Sequence, residues 1–265
     1  MPATTPDNLT LDPAGRARWL HTATDRCVKC GLCLAECPTY GLTLNEGESP
    51  RGRLALIEAL AQGRLALDAG IDRHLDSCLL CQRCERVCPS GVRYAEVMDV
   101  ARQDTLPQRP RVLRLLIGML ARRRLARLAL RLGRWAPAGL PGLLGRLGRL
   151  AGSHAGSTPP APGRYPAATG TDRPAVGLFL GCVGAEVQGH TLHAAIRLLN
   201  ACGRDVVVPS AQGCCGAMHG HLGDAMRATQ HRQRVAQAFQ AEGVTEVTGI
   251  ASGCIAYLTS TAGSH

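Results

Sequence analysis

The chain has 265 residues, a formal net charge of +10 and a hydrophobic fraction of 45%, which excludes wholesale disorder and allows one or two domains. Aromatic residues make up only 3%, which argues against a base-stacking surface for single-stranded nucleic acid. The chain has 13 cysteines, no apolar stretch that predicts a membrane span, and a polar start unlike a secretory signal. We therefore expect a cytoplasmic protein whose cysteines bind metal or carry redox chemistry.

The first eight cysteines form a repeat. Cys27, Cys30, Cys33 and Cys37 recur 51 residues later as Cys78, Cys81, Cys84 and Cys88, and a proline follows each set. The spacing C-x2-C-x2-C-x3-C-P is typical of bacterial [4Fe–4S] ferredoxins, in which three thiolates bind one cubane and the fourth binds its neighbour. The sequence therefore predicts two [4Fe–4S] clusters, one held by Cys27, Cys30, Cys33 and Cys88, and the other by Cys78, Cys81, Cys84 and Cys37.

A pair of zinc sites is the alternative, but zinc motifs pair two C-x-x-C elements rather than three cysteines followed by C-P. Between the two motifs, the segment from Arg51 to Gln62 has apolar residues at helical spacing, and Gly63 ends the pattern. Residues 1–105 are therefore predicted to be a two-cluster α-helical ferredoxin domain. Basic side chains beside the ligands either raise the cluster potentials or face solvent or a partner; they are Arg26, Lys29, Arg83 and Arg86.

Residues 106–174 differ in character. Residues 107–150 contain 11 arginines and no acidic residue, so the basic charge of the chain is concentrated in this segment. Leucines between Arg111 and Arg134 recur among the arginines at helical spacing, which predicts an amphipathic helix. From Pro137 to Pro174 the composition of Gly, Pro, Ala, Ser and Thr predicts a linker.

Residues 175–265 alternate short apolar segments with helical patterns, which predicts a small parallel α/β unit. The predicted strands are Ala175–Leu180, Asp205–Val208 and Val244–Ile250, and the predicted helices are Ala185–Ala201 and Leu222–Ala241. Four cysteines follow the three strands and are expected to converge at the carboxyl edge of the sheet: Cys182, Cys214, Cys215 and Cys254. We interpret them as a metal site for zinc or a further iron–sulfur cluster, with buried apolar thiols or a redox dithiol as alternatives.

Three neighbouring residues receive other interpretations. Cys202 lies at a predicted helix end away from this edge and is interpreted as structural. His219 and His221 follow the cysteine pair, and we interpret them as surface residues at a helix start rather than as ligands or proton donors.

The doubled motif and the series Cys182…Cys214-Cys215-Gly216…Cys254 resemble the iron–sulfur subunits of bacterial glycolate oxidase. More broadly they resemble the cysteine-rich CCG family, which includes heterodisulfide reductase and lactate-utilisation subunits. Further segments carry the resemblance: Cys37-Pro-Thr-Tyr40, Pro50-Arg-Gly-Arg53, Cys88-Pro-Ser-Gly-Val-Arg-Tyr94 and Ala251-Ser-Gly-Cys254. It implies a helical ferredoxin domain followed by a CCG unit. Members of the family carry a second CCG unit, so an incomplete CCG part is expected here.

The resemblance implies an oxidoreductase subunit that is inactive alone and contributes no catalytic residue. It would take electrons from FAD-binding subunits that oxidise glycolate, and pass them through two clusters to a quinone-type acceptor. No G-x-G-x-x-G follows a predicted strand, so the flavin is expected on the partner. The implied location is the cytoplasm, with peripheral contact at the inner face of the membrane.

The sequence leaves two other interpretations open. One is a heterodisulfide-reductase-like or lactate-utilisation subunit with thiol chemistry at the CCG cysteines. The other is a binding module whose arginines contact nucleic acid or anionic lipid. The arginine segment lacks interleaved aromatic residues, so no nucleic acid partner is expected.

Overall fold

The structure is a computed structural model that describes residues 11–133, 158–168 and 173–260. Within these ranges the chain forms two compact units. The first contains the residues up to 109 together with 218–229, and the second contains the remaining described residues from 110 onwards. In the described part of the chain, no helix is long and apolar enough to cross a membrane. Most of the predicted linker lies outside the described residues.

Short helices surrounding an apolar core form the first unit. They are α1 (Pro13–Asp25), α2 (Pro38–Thr43), α3 (Pro50–Ala61), α4 (Ala69–Asp76), α5 (Arg83–Arg86) and α6 (Tyr94–Ala101), with 3-10 turns at Glu46–Glu48, Arg102–Asp104 and Leu106–Gln108. Asp12, Ser49 and Asp68 cap α1, α3 and α4, because each side chain accepts a hydrogen bond from a main-chain N–H of the first turn. Ile57 and Leu75 are fully buried in the core. The all-helical architecture predicted for this domain is therefore confirmed.

From residue 110 to 133, the described part of the arginine-rich segment lies in the second unit as two helices, α7 (Arg111–Leu120) and α8 (Arg123–Gly133), rather than the single helix predicted. Buried Ile117 and Ala121 lie on the inner side of this segment, whereas Val112 and Leu115 are exposed. Apolar side chains therefore occur on both sides of α7, so hydrophobic periodicity alone does not define its buried face.

A mixed four-stranded sheet forms the centre of the second unit. Its strands are β1 (Gly163–Tyr165), β2 (Val176–Phe179), β3 (Val206–Val208) and β4 (Glu246–Gly249), in the order β1-β3-β2-β4. The remaining described helices are α9 (Gly184–Val187), α10 (Gly189–Ala201), α11 (Ala217–His221), α12 (Ala225–Gln240) and α13 (Ser252–Ser260); residues 218–229, from α11 and α12, belong to the first unit.

Strand β2 pairs in parallel with β3 and β4, which agrees with the predicted parallel arrangement of these three strands. Strand β1, which lies in the segment predicted as a linker, pairs with β3 in antiparallel orientation and adds an edge strand that was not predicted. Three residues are too few to show a strand pattern in a segment rich in glycine and proline.

Gly177 in β2 allows a close helix–sheet contact. A Cβ at this position would lie 2.5 Å from the ring of Phe239 on α12 and 3.0 Å from the side chain of Val244. The packing of α12 on the sheet therefore requires a residue without a side chain at this point.

Gly177→Ala should lower the free energy of unfolding of the second unit by about 2 kcal/mol, because the methyl group overlaps the buried Phe239 ring. Gly118→Ala is the matched control, since Gly118 lies within α7 and a Cβ there has no neighbour within 4 Å. That control should gain up to about 1 kcal/mol from helix propensity. Denaturant unfolding followed by circular dichroism measures the free energy of unfolding of both variants. Similar changes in the two variants would contradict the packing argument.

Candidate iron–sulfur and thiol sites

The eight cysteines of the repeat lie around two cavities in the first unit. One cavity, of about 430 Å³ including its open mouth, is lined by Cys27, Cys30, Cys33 and Cys88. The other, of about 320 Å³, is lined by Cys78, Cys81, Cys84 and Cys37. Cys84, Pro50 and Tyr94 line both, so the two cavities are separated by a shared wall.

The loops around the two cavities use the same unusual backbone conformation. Lys29 and Gly31 have left-handed φ values of 55° and 84°. Leu80 and Gln82, which follow them by 51 residues in the repeat, have φ values of 50° and 58°. A left-handed residue other than glycine costs roughly 1–2 kcal/mol. Strain retained at equivalent positions of both motifs indicates a functional constraint on these loops.

Hydrogen bonds to sulfur show that the loops suit bound thiolates. The main-chain N–H of Leu80 donates to Cys78 Sγ over 3.4 Å, and that of Val92 donates to Cys88 Sγ over the same distance. The buried hydroxyl of Tyr94 donates to Cys78 Sγ over 3.8 Å. Such bonds favour the charged sulfur of a cluster ligand and influence the cluster potential.

Burial acts in the opposite direction on the free thiols. It raises the pKa of Cys33 and, more strongly, the pKa of Cys84 in the shared wall. These groups therefore stay protonated until a metal supplies the compensating positive charge. The residues thus fit iron–sulfur clusters, which bind thiolates.

A buried polar network connects Cys37 with the second motif. Arg53 on α3 is 1% exposed, and its Nη2 pairs with Glu48 Oε2 at 2.6 Å. The same guanidinium donates to Thr39 Oγ1 at 3.1 Å and to the main-chain oxygen of His74 at 2.7 Å. Thr39 Oγ1 lies 3.2 Å from Cys37 Sγ. Arg53 therefore joins the loop that carries Cys37 to the end of α4, which leads into Cys78.

Glu48 is the counter-ion at the centre of this network. Burial raises its pKa, but hydrogen bonds with Ser77 and His74, together with the charge of Arg53, outweigh burial and lower the pKa below its ordinary value. His74 Nδ1 lies 2.6 Å from Glu48 Oε1, and the Ser77 hydroxyl donates to the other oxygen. Glu48 is therefore held as a carboxylate.

The second unit brings the four remaining candidate cysteines together. Cys182 Sγ lies 3.8 Å from Cys214 Sγ, and hydrogen bonds continue from Cys214 to Cys215 and from Cys215 to Cys254. Main-chain N–H groups of Gly216 and Ala217 donate to the sulfurs of the adjacent pair. The four thiols thus form one chain of contacts after the carboxyl ends of β2, β3 and β4.

The pKa values of these four thiols do not all shift in the same direction. The hydrogen bond with Cys214, and then burial, raise the pKa of Cys182. The bond with Cys214 lowers the pKa of Cys215, but the bond with Cys254 and burial outweigh it, and the pKa rises to about 12. The bond with Cys215 lowers the pKa of Cys254. Most of the chain of thiols is therefore protonated unless a metal centre displaces the protons.

Buried side chains around the four thiols fix their loops. Gln212 is 7% exposed; its Oε1 accepts from the Leu180 N–H at 2.8 Å, and its Nε2 donates to the Leu178 carbonyl at 3.2 Å. These bonds hold the loop after β3 against the end of β2. Ala121, between α7 and α8, packs in one buried cluster with Cys182 and Cys214. The arginine-rich segment therefore forms part of the wall of this site.

One interpretation of a neighbouring residue was wrong. His219 is 2% exposed, so it is not a surface residue; its Nδ1 lies 3.9 Å from the Asp224 carboxylate. Cys202 is exposed at the C-terminal end of α10, which agrees with the predicted helix end. His221 is partly buried, with its Nδ1 3.5 Å from the Asp99 carboxylate.

Across the described ranges, no three or more His, Cys, Asp or Glu side chains converge closely enough to hold a single metal ion. A cubane has a different requirement, because each thiolate binds a different iron.

Sequence reasoning missed several residues that shape the two sites. Arg53 appears in the sequence predictions only as part of the segment Pro50-Arg-Gly-Arg53, which carries the family resemblance. No sequence pattern predicted a role for Glu48, His74 or Gln212. Their roles depend on contacts across 21 to 34 residues of sequence, which no local spacing indicates.

Two family models match the chain. Residues 23–92 match the 4Fe-4S dicluster domain, and residues 176–259 match the cysteine-rich domain called CCG. The chain therefore carries a region similar to 4Fe-4S dicluster domains followed by a region similar to cysteine-rich domains. No solved structure matches it significantly.

Two curated proteins are similar in sequence to most of the chain. The chain is 34% identical over 257 residues to the probable glycolate oxidase iron-sulfur subunit of Bacillus subtilis (strain 168), covering 88% of this chain and 58% of that protein. It is 33% identical over 203 residues to the glycolate oxidase iron-sulfur subunit of Escherichia coli (strain K12), covering 74% and 47%. The chain spans about half the length of the curated relatives it matches. Its resemblance to glycolate oxidase iron–sulfur subunits is confirmed.

Glu48→Gln should lower the free energy of unfolding of the cluster-loaded protein by about 3 kcal/mol, because it leaves the Arg53 guanidinium buried without a counter-ion. The matched control is Glu46→Gln: Glu46 lies two residues earlier and pairs with Arg51 of the same helix, but is half exposed. That change should have little effect, since exposed pairs contribute little. Anaerobic guanidinium unfolding compares the two variants, and equal losses would exclude a special role for the buried pair.

Proposed function

We propose that the chain is the electron-transfer component of a glycolate (2-hydroxy acid) oxidase complex. Two [4Fe–4S] clusters would occupy the two cavities, with Cys27, Cys30, Cys33 and Cys88 around one and Cys78, Cys81, Cys84 and Cys37 around the other. When bound, the clusters supply reversible one-electron acceptance at two neighbouring positions. The names of the curated relatives support the assignment of the chain to such a complex. The reaction that the whole complex would catalyse is part of the proposal.

The arrangement of the cavities is the observation that carries this proposal. One cavity collects Cys37 of the first motif with three thiols of the second, and the other collects three thiols of the first motif with Cys88 and with Cys84, which lines both cavities. A shared wall keeps two redox centres close enough for an electron to pass between them without leaving the protein interior. This arrangement supports relay rather than substrate chemistry at the cysteines.

The two-electron oxidation of a 2-hydroxy acid to a 2-oxo acid needs an acceptor for both electrons and both protons. We place a flavin on an FAD-binding partner subunit, from which the chain accepts one electron at a time. A quinone-type acceptor would then take up two electrons and two protons. Because quinones dissolve in the membrane, we place the complex at the inner face of the cytoplasmic membrane.

A second candidate function is supported by the chain of thiols in the second unit. Four cysteines linked one to the next, two with sulfurs 3.8 Å apart, could hold a further iron–sulfur cluster that acts on a thiol or disulfide substrate, whereas the described residues offer no site for a single zinc ion. This is the function expected of a heterodisulfide-reductase-like or lactate-utilisation subunit. Metal analysis of Cys214→Ser, with the ferredoxin cysteines intact, separates this centre from the two clusters.

The anaerobically reconstituted chain should contain about eight iron and eight sulfide at the ferredoxin cysteines. Cys37→Ser should alter the same EPR signal as Cys81→Ser, because both thiols line one cavity, and should spare the signal altered by Cys30→Ser. Cys202→Ser, at an exposed cysteine, is the control and should change neither signal. Stoichiometric zinc without iron would overturn the proposal, and a shared effect of Cys37→Ser and Cys30→Ser would overturn the crossed ligation.

The exposed face of α7 is our candidate surface for the flavoprotein partner. Val112 and Leu115 are 66% and 68% exposed, three residues apart on one face of the helix. The described part of the arginine-rich segment contains no acidic residue, so the surface fits an apolar patch bordered by acidic groups.

The double substitution of Val112 and Leu115 by Glu should weaken binding to the co-expressed flavoprotein at least tenfold, because it places acidic charge on the apolar contact. The control is Leu198→Glu on α10, a leucine of the same unit that is 65% exposed. Co-purification and glycolate-dependent dye reduction give the two readouts. Dye reduction by the chain alone, or binding unaffected by the double substitution, would contradict the assignment.

A further inference from the structure

Two buried arginines hold the segment that leads into the second cysteine motif. Arg102 is 2% exposed, and its Nη2 donates to the main-chain oxygens of Leu75 at 2.6 Å and Cys78 at 3.0 Å. Arg53 donates from Nε to the main-chain oxygen of His74 at 2.7 Å. Together they satisfy carbonyl groups that the end of α4 leaves without helical partners.

The two arginines differ in how their charge is balanced. Arg53 forms an ion pair with buried Glu48. Arg102 contacts only main-chain oxygens, including that of Asp76 at 3.3 Å and that of His221 at 3.4 Å in the same unit. Among the described residues, no carboxylate lies within ion-pair distance of the Arg102 guanidinium.

A fixed positive charge is costly to bury without a counter-charge, and a guanidinium does not escape this cost by losing its proton. Carbonyl dipoles offset part of the cost but leave a net charge at this position. The Arg102 guanidinium bonds directly to the carbonyl of Cys78, the first cysteine of the second motif. This bond places the guanidinium beside the second motif, whose thiolates would be anionic with a cluster bound.

We propose that Arg102 is the buried counter-charge of the cluster held by Cys78, Cys81, Cys84 and Cys37. A site with four thiolates is anionic and becomes more so on reduction, so a nearby fixed cation favours the reduced form. Arg102 therefore raises the potential of this cluster above the value that the same site would give without the charge. The inference rests on the proposed function, because it requires both clusters to be present.

The cations beside the first cavity do not provide an equivalent charge. The Lys29 side chain is 60% exposed and lies 3.6 Å from Glu58, and Arg51 is paired with Glu46. Solvent and these carboxylates reduce their effect. Glu36 lines the second cavity and opposes Arg102, but it is partly exposed and is screened in the same way.

The experiment is a potentiometric EPR titration of the full chain carrying both clusters. Arg102→Met removes the charge and should lower the reduction equilibrium constant of one cluster about tenfold, which is about 59 mV for a one-electron couple. The affected transition should be the one lost in Cys81→Ser. Arg102→Lys keeps the charge while losing the planar fork, and should stay close to the wild-type potential.

Arg83→Gln is the control for removing a positive charge close to the cluster in sequence, because Arg83 adjoins Cys84 but is exposed. Solvent screens this charge, so its loss should shift neither potential appreciably. An unchanged potential in Arg102→Met, a shift in the other cluster, or an equal shift in Arg102→Lys would overturn the proposal. If Arg102→Met does not fold, Arg102→Gln, which still carries a donor for the Leu75 carbonyl, provides the same comparison. Absence of two iron–sulfur transitions in the wild type would instead refute the proposed function itself.

Discussion

The buried guanidinium of Arg53 joins two loops that are far apart in the sequence but must meet at one cavity. Cys37 belongs to the first motif, yet it lines the cavity of the second, 41 residues further along the chain. Arg53 bonds to Thr39 on one side and to the His74 carbonyl on the other, and Glu48 balances its charge. A buried ion pair of this kind adds little net stability compared with apolar packing. Its value here lies in fixing which loops face each other.

The same constraint explains why the cysteine loops can keep strained backbone conformations. Left-handed φ values at Lys29 and Leu80 turn the chain tightly at the same place in each motif. The core of α1, α3 and α6 holds the ends of both loops, and Tyr94 reaches from α6 to Cys78. A rigid surround of this kind would let a bound cluster keep its geometry on reduction and oxidation, so that little reorganisation would accompany the proposed electron transfer.

The sequence predicted the features that depend on local patterns. The cysteine spacing, the helix between the motifs, and the strands before Cys182, Cys214 and Cys254 all follow from short-range periodicity and composition, and the structure contains each of them. Strand β1 could not be predicted, because it has three residues and is defined by its pairing with Val206–Val208. The partners of Arg53, Arg102 and Gln212 could not be predicted either, since carbonyl groups distant in sequence select them. An arginine in a helix is normally assigned to the surface, and only tertiary packing shows it to be buried.

The inner and outer sides of the arginine-rich segment must be altered by separate substitutions. Its inner side contributes Ala121 to the cluster that contains Cys182 and Cys214, whereas Val112 and Leu115 are exposed. Deleting the whole segment would expose the thiols and remove the outer surface together, so a lost complex would not identify the cause. Substitutions at Val112 and Leu115 change the outer surface while leaving Ala121 in place. A change at Ala121 would do the reverse, because a larger side chain there presses on the thiol loops without altering the exposed face. A partner that binds the outer side should therefore respond only to the substitutions at Val112 and Leu115. A metal centre at the four thiols should respond only to the substitution at Ala121.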